Sequence, residues 1–204
     1  MSESKIVNIL ISSVGGQGGL TLSRVIAVAS VLSGYSVRTG ETLGMAQRFG
    51  SVLSYVRVGI DGIVYSPLFD EGEAHYMVCM EVIECARALK YLGRDGVLIV
   101  DDVVKPPTSM SLVGSGSEIK SVLLKQISST IDSARFFLVP AKRIAIELGS
   151  SRAANMVLLG VLNGISKLFS ESAVTEAVSS LFSNSTREPS LLAYRRGVDY
   201  IKHL

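Results

Sequence analysis

The chain has 204 residues and a formal net charge of +2, and 48% of its residues are hydrophobic while 19% are charged. Near-neutral charge, 6% aromatic residues and no tryptophan argue against a nucleic-acid platform or an anionic-membrane binder. The N-terminus lacks the apolar core of a secretory signal, and no apolar stretch is long enough to span a bilayer, which predicts a cytoplasmic protein.

Strand-like and helix-like segments alternate along the chain. Strands are predicted at 6–11, 36–39, 52–60, 63–67, 74–80, 97–100 and 135–139, and helices at 20–32, 82–92, 118–131, 141–148, 153–169, 171–182 and 189–204. Asp61-Gly62 predicts a hairpin turn and 93–96 a second turn. The alternation predicts an α/β fold over residues 1–204: a Rossmann-like three-layer domain with a mainly parallel sheet, one antiparallel hairpin and a helical C-terminal third. A single domain, or one with a helical extension, fits this length.

Four glycines in five positions follow the first predicted strand. They indicate either a tight strand-to-helix turn or a backbone that approaches an anion at the helix N-terminus. A dinucleotide fingerprint would align on Ser13, Gly15 and Gly18, with Glu41 as the ribose-binding acid, so its first glycine is missing. The loop residues proposed to contact an anion or a partner are Gly15, Gly16, Gln17, Gly18 and Gly19.

A second loop, GMAQRFGS at 44–51, carries unusual residues for a plain turn. Methionine and glutamine between two glycines indicate a contact surface, because ordinary turns favour Asn, Asp, Ser or Pro. The arginine of this loop can pair bidentately with a carboxylate or phosphate. The residues predicted to face a partner or an active site are Met45, Gln47, Arg48 and Ser51.

Other polar residues have weaker functional signals. Asp101 and Asp102 could hold Mg²⁺, but no third ligand is evident and a solvated loop is expected. Asn155, among apolar helical residues, is expected to cap or cross-link buried backbone. Cys79 and Cys85 are expected to be buried, unlinked thiols, and two cysteines cannot hold a cluster or zinc site. No metal site is predicted, and neither His75 nor His203 has a recognisable catalytic partner.

The motifs together resemble the gamma-type subunit or domain of the 2-oxoacid:ferredoxin oxidoreductases, most closely the small subunit of the indolepyruvate enzymes. VGGQG at 14–18, GMAQRFGSVLSYVR at 44–57, YSPLFDEGEAH at 65–75 and SRAANMVLLG at 151–160 match the family pattern in order and spacing. The departures are Ser13 and Phe49 in place of family glycines, and His75 in place of an acid.

The resemblance implies an accessory subunit for the oxidative decarboxylation of a 2-oxo acid to an acyl-CoA, with electrons passed to ferredoxin. Thiamine diphosphate and [4Fe-4S] clusters would be bound by a large (alpha) partner subunit, with CoA as co-substrate, and this chain would be inactive alone. Two other readings stay open at this point. They are a stand-alone dinucleotide-binding reductase and a non-catalytic α/β interaction module.

Overall fold

The computed structural model describes residues 5–44, 50–106 and 115–203. Within them, six strands form one sheet with helices on both of its faces. The strands are β1 (Ile6–Val14), β2 (Ser36–Leu43), β3 (Ser51–Gly59), β4 (Ala74–Cys79), β5 (Leu92–Asp101) and β6 (Phe136–Val139). The helices are α1 (Gly19–Leu32), α2 (Val82–Ala88), α3 (Gly116–Thr130), α4 (Ala141–Glu147), α5 (Ala154–Ser166), α6 (Glu171–Leu181) and α7 (Asn184–Lys202).

The strand order is β2-β3-β1-β4-β5-β6, and only β3 runs against the other five. The central strand β1 is buried on both faces: Ile9 and Ile11 contribute to the core beneath α1 and α5, and Leu10 to the core beneath α2 and α3. A nearly continuous apolar run such as IVNILI, interrupted only by Asn8, is typical of a strand covered on both sides. The predicted mainly parallel, three-layer α/β fold is therefore confirmed.

The hairpin predicted at Asp61-Gly62 is wrong. β3 pairs with β1 on one edge and with β2 on the other, so neither edge is left for residues 63–67. Those residues instead cross one face of the sheet without ladder hydrogen bonds. Buried Val64 and Phe69 anchor the segment, and the Val64 N–H donates to Ser36 Oγ at 3.0 Å.

The turn predicted at 93–96 is also wrong, because these residues lie within β5. The register against β4 shifts here, since Leu92 pairs with Ala74 and Val97 with Tyr76, so residues 93–96 form an irregularity within the strand. Their glycines allow close backbone contact: a Cβ on Gly93 would lie 3.0 Å from the Gly72 carbonyl oxygen, and one on Gly96 would lie 2.7 Å from that of Ala74. Helix α7 likewise begins at Asn184, so Pro189 lies inside it rather than at its start.

Candidate functional site

A cleft of about 370 Å³ opens at the carboxyl ends of the parallel strands. Its walls come from the glycine loop after β1, from Met80 after β4, from Asp101 at the end of β5, and from the segments that begin α4 and α5. Ligands of open α/β sheets bind at this edge, because the strand-to-helix loops converge there. The predicted convergence of the glycine loop, the loop after β5 and the loop before Ala141 is therefore confirmed.

The glycine loop is a tight turn that requires glycine at two positions. Gly16 and Gly18 have φ values of +91° and +93°, in the left-handed region that L side chains rarely adopt. Gly18 is also the N-cap of α1 and has no side chain with which to cap it. Among the described residues, no carbonyl accepts a hydrogen bond from the Gly16, Gly18 or Gly19 amides. These amides lie at the positive end of the α1 dipole.

Both polar atoms of the Gln17 side chain form hydrogen bonds with backbone groups of the chain. Its Oε1 accepts a hydrogen bond from the Val14 N–H at 2.7 Å, and its Nε2 donates to the Met80 carbonyl at 3.1 Å. The side chain thus ties the end of β1 to the end of β4. The backbone of this loop, and not the Gln17 side chain, is consequently the part available to bind a ligand.

Asn155 holds the loop from the opposite wall. Its Nδ2 donates to the Gly18 carbonyl at 3.2 Å, and the side chain is buried. A Cβ on Gly18 would lie only 2.8 Å from that nitrogen. The predicted cross-linking role of Asn155 is therefore confirmed. Ser13, which stands in place of the family glycine, packs its hydroxyl directly against Gly19, so a side chain at 19 would clash with it.

Three basic side chains of the described residues line the cleft: Lys105, Lys142 and Arg152. Lys142 Nζ donates to the Ser151 carbonyl at 2.8 Å, which holds it along the wall. Together with the N-terminus of α1, these cations favour an anionic ligand. Sequence reasoning did not group these three residues, because each lies in a separate segment. Lys105 and Lys142 follow the ends of β5 and β6, which was an available signal, whereas Arg152 lies between α4 and α5.

Asp101 is the acidic group among the described residues that line the cleft, and the expectation that it is solvated is wrong. It is 3% exposed, and its Oδ1 accepts a hydrogen bond from the Lys142 N–H at 3.2 Å. Burial raises the pKa of this carboxyl to about 6. Asp102 instead forms an ion pair with Lys120 at 3.5 Å, which directs it away from a shared site. No group of three potential metal ligands occurs in the described part of the chain.

The second predicted loop adjoins the first. Ser51 begins β3 and pairs with Val14 at the end of β1, and the Gly15 N–H donates to the Gly50 carbonyl at 2.9 Å. Residues 44 and 50 therefore bring the ends of this loop beside the glycine loop. Met45, Gln47 and Arg48 themselves lie outside the described residues, as does Phe49.

The remaining candidates have structural surroundings. Cys79 and Cys85 are buried and unlinked, as predicted, and burial raises the pKa of Cys79 well above its usual value. His75 Nδ1 accepts a hydrogen bond from the Asn8 N–H at 3.0 Å, and partial burial lowers its pKa. His203 is exposed at the C-terminal end of α7.

The topology does not reproduce a dinucleotide site. Glu41 lies on β2, and β3 separates β2 from the strand that carries the glycine loop. Two inter-strand spacings amount to about 10 Å. A ribose-binding acid is expected on the strand beside the loop, so Glu41 is displaced by one strand from that position.

The sequence is similar to known oxidoreductase subunits over nearly its whole length. Residues 8–200 match the model of the pyruvate ferredoxin/flavodoxin oxidoreductase family. The indolepyruvate oxidoreductase subunit IorB of Thermococcus kodakarensis is 33% identical over 98% of each chain. Its counterpart in Archaeoglobus fulgidus is 34% identical over 94% of this chain and 93% of its own.

A solved structure with the same fold is the 2-oxoglutarate:ferredoxin oxidoreductase of Magnetococcus marinus with 2-oxoglutarate, coenzyme A and succinyl-CoA bound. It matches with a TM-score of 0.75 and 20% identity, over 99% of this chain and 32% of that longer chain. No helix in the described ranges is long and apolar enough to cross a membrane. The family match and the whole-length relatives lead to one conclusion: this chain is a member of the pyruvate ferredoxin/flavodoxin oxidoreductase family.

Proposed function

We propose that this chain is the small subunit of a cytoplasmic 2-oxoacid:ferredoxin oxidoreductase that acts on indolepyruvate or another aryl pyruvate. The observation that carries the proposal is the similarity to a named indolepyruvate oxidoreductase subunit over 98% of both chains. The complex would decarboxylate the 2-oxo acid oxidatively, form an acyl-CoA and pass the electrons to ferredoxin. The whole chain, 1–204, would act as one domain.

The cofactors of this reaction belong to a large partner subunit in our proposal. The whole sequence has two cysteines, and a [4Fe-4S] cluster takes four thiolates. Both cysteines are buried and unlinked. The clusters would therefore reside on the partner. In this proposal the partner also binds thiamine diphosphate and docks ferredoxin.

Co-purification tests this function directly. The tagged chain is co-expressed with a candidate large subunit, and the complex is assayed for indolepyruvate- and CoA-dependent reduction of ferredoxin. We expect a brown complex that is active with aryl pyruvates and less active with pyruvate or 2-oxoglutarate. Full activity of the large subunit without this chain would refute the proposal.

The cleft is proposed to bind the phosphate-bearing part of CoA. The basic side chains and the amide-rich start of α1 converge there, and anions are stabilised by both. Replacing Lys142 by Gln is expected to raise the KM for CoA by roughly tenfold, the loss of one charge-assisted hydrogen bond. The KM for the oxo acid should not change. Lys125, an exposed residue of α3, provides the control Lys125→Gln; equal effects of both changes on CoA would contradict the assignment.

The loop at 45–49 is proposed to face the partner or its active site. Arg48→Ala is expected to lower the activity of the complex by roughly tenfold or more, because one charge-assisted contact is lost. The melting temperature of the isolated chain should stay the same. Unchanged turnover in the reconstituted complex would leave Arg48 without a functional role.

A further inference from the structure

Among the described residues, none pairs with the outer edge of β2. In the described sheet, β2 pairs with β3 alone, in a continuous register without a bulge. The Gly44 N–H donates to the Ser51 carbonyl, which fixes the alternation. The odd-numbered residues from Val37 to Leu43 therefore direct their N–H and C=O groups outward. An edge of this length is a template for pairing with another strand.

The opposite edge of the sheet, formed by β6, is protected, so the two edges differ. β6 has only four residues, and the Tyr200 hydroxyl of α7 donates to the Leu138 carbonyl at 3.4 Å. Short strands and covering helices are the usual means by which proteins protect an edge. On β2 the described residues provide one such contact, from Arg38 Nη1 to the Val37 carbonyl at 2.8 Å.

Exposed apolar side chains line the same side of the molecule. Residues 63–68 run along the face of β2 opposite α1, since Val64 bonds Ser36 and Pro67 packs over Gly40. Three side chains of this anchored segment point outward: Ile63 is 64% exposed, Tyr65 84% and Leu68 54%. Leu43, at the end of β2, is also 64% exposed, but it lies on the other face of the strand and is not part of this row. Aromatic and aliphatic side chains on a rigid segment are the anchors that dominate protein interfaces.

The charges around this surface are mainly acidic. Glu41, Asp61 and Asp70 are exposed, whereas residues 62–69 carry no charge. Two basic side chains lie at this surface, and both are already bonded within the chain. Arg38 Nη1 donates to the Val37 carbonyl, and Arg57 Nη1 donates to the Leu68 carbonyl at 3.1 Å. A second copy of the chain would bring a second acidic rim against this one. Charge complementarity therefore favours a different protein, with an apolar pocket and a basic rim.

We infer that the β2 edge and residues 63–68 form the docking surface for the large subunit, which adds an extended segment to β2 and receives Tyr65 and Ile63 in an apolar pocket. This inference rests on the proposed function, which supplies the partner. Strand addition gives affinity through main-chain hydrogen bonds, and the pocket gives specificity.

The test measures the Kd between purified chain and purified large subunit. Tyr65→Ser and Ile63→Lys are each expected to weaken binding by roughly thirtyfold or more, the usual effect at an interface anchor. Thr39→Pro removes an outward N–H without breaking the ladder to β3, and it should weaken binding while the circular dichroism spectrum stays the same. Val31→Lys is the matched control: Val31 is 62% exposed on α1, and its variant should bind like the wild type.

The outcomes separate the two proposals. In the first outcome, the wild-type chain binds the large subunit while the Tyr65, Ile63 and Thr39 variants change the Kd by no more than about twofold. That result would overturn the docking surface and leave the proposed function standing. A wild-type chain that does not bind the large subunit would overturn both. A third outcome is that the wild-type chain forms dimers, that these variants dissociate them, and that the affinity for the large subunit is unchanged. That result would assign the surface to a second copy of the chain and would also overturn the inference.

Discussion

The most discriminating prediction concerns Gly18, where two separate constraints meet. Its φ of +93° disfavours any L side chain, at a cost of about 1–2 kcal/mol. A Cβ there would also displace the Asn155 amide, which lies 2.8 Å from its position and donates to the Gly18 carbonyl. Loss of that hydrogen bond adds about 1 kcal/mol. Gly18→Ala should therefore lower the free energy of unfolding by roughly 2–3 kcal/mol.

Gly16 is the matched control, since its φ is +91° and no atom lies within 4 Å of a Cβ built there. Gly16→Ala should cost the conformational strain alone, about 1–2 kcal/mol. For a chain of this size each kcal/mol lowers the melting temperature by about 2–4 °C. Gly18→Ala should accordingly melt roughly 4–12 °C below the wild type, and below Gly16→Ala.

Urea denaturation of a double-mutant cycle isolates the contact with Asn155. In an Asn155→Ala background, Gly18→Ala should cost no more than Gly16→Ala, because the crowded amide is gone. The coupling free energy should be about 1 kcal/mol. If Gly18→Ala costs the same with and without Asn155, the account of this packing is refuted.

Two further predictions concern the α5–α7 contact and the buried acid. Gly197→Ala should destabilise the chain by about 1–3 kcal/mol in urea, because its Cβ would lie 3.0 Å from Gly160 Cα and closer still to the Val157 carbonyl. A Cβ on Gly164 would make ordinary contacts, the nearest at 3.4 Å, so Gly164→Ala should leave stability unchanged or raise it. Equal losses of stability in the two variants would contradict this explanation. Asp101 has a folded pKa of about 6 against 3.8 unfolded, so the native state binds more protons between these values and stability falls as pH rises through them. Asp101→Asn should therefore gain up to about 3 kcal/mol relative to wild type between pH 4 and 7, and a pH-independent difference would contradict the assignment.

Local patterns were sufficient for most of the elements. The apolar run at 6–11 and the helical spacing at 20–32 identify β1 and α1 because side-chain periodicity reports which face is buried. Glycine clustering identified the turn, since few other residues tolerate the positive φ found at Gly16 and Gly18. These properties depend on the nearest neighbours in the chain, and so the sequence alone expresses them.

Strand pairing could not be obtained in this way. Asp61-Gly62 had the chemistry of a hairpin turn, yet β3 had no free edge once β1 and β2 had paired with it. The glycines at 93 and 96 resembled a turn, but side chains there would clash with backbone oxygens of residues 72 and 74. Both errors arise because ladder hydrogen bonds and close backbone contacts join residues that are distant in sequence.

The candidate site likewise has some properties that follow from local sequence and others that depend on long-range contacts. The sequence alone determined the family resemblance, the glycine loop and the structural role of Asn155, since each depends on residue identity at a fixed spacing. Only the tertiary structure brought Lys105, Lys142 and Arg152 to one cleft and buried Asp101 beside them. It also separated Glu41 from the glycine loop by one strand. The physical reason is that electrostatics and burial depend on distances in space, and strand order fixes those distances.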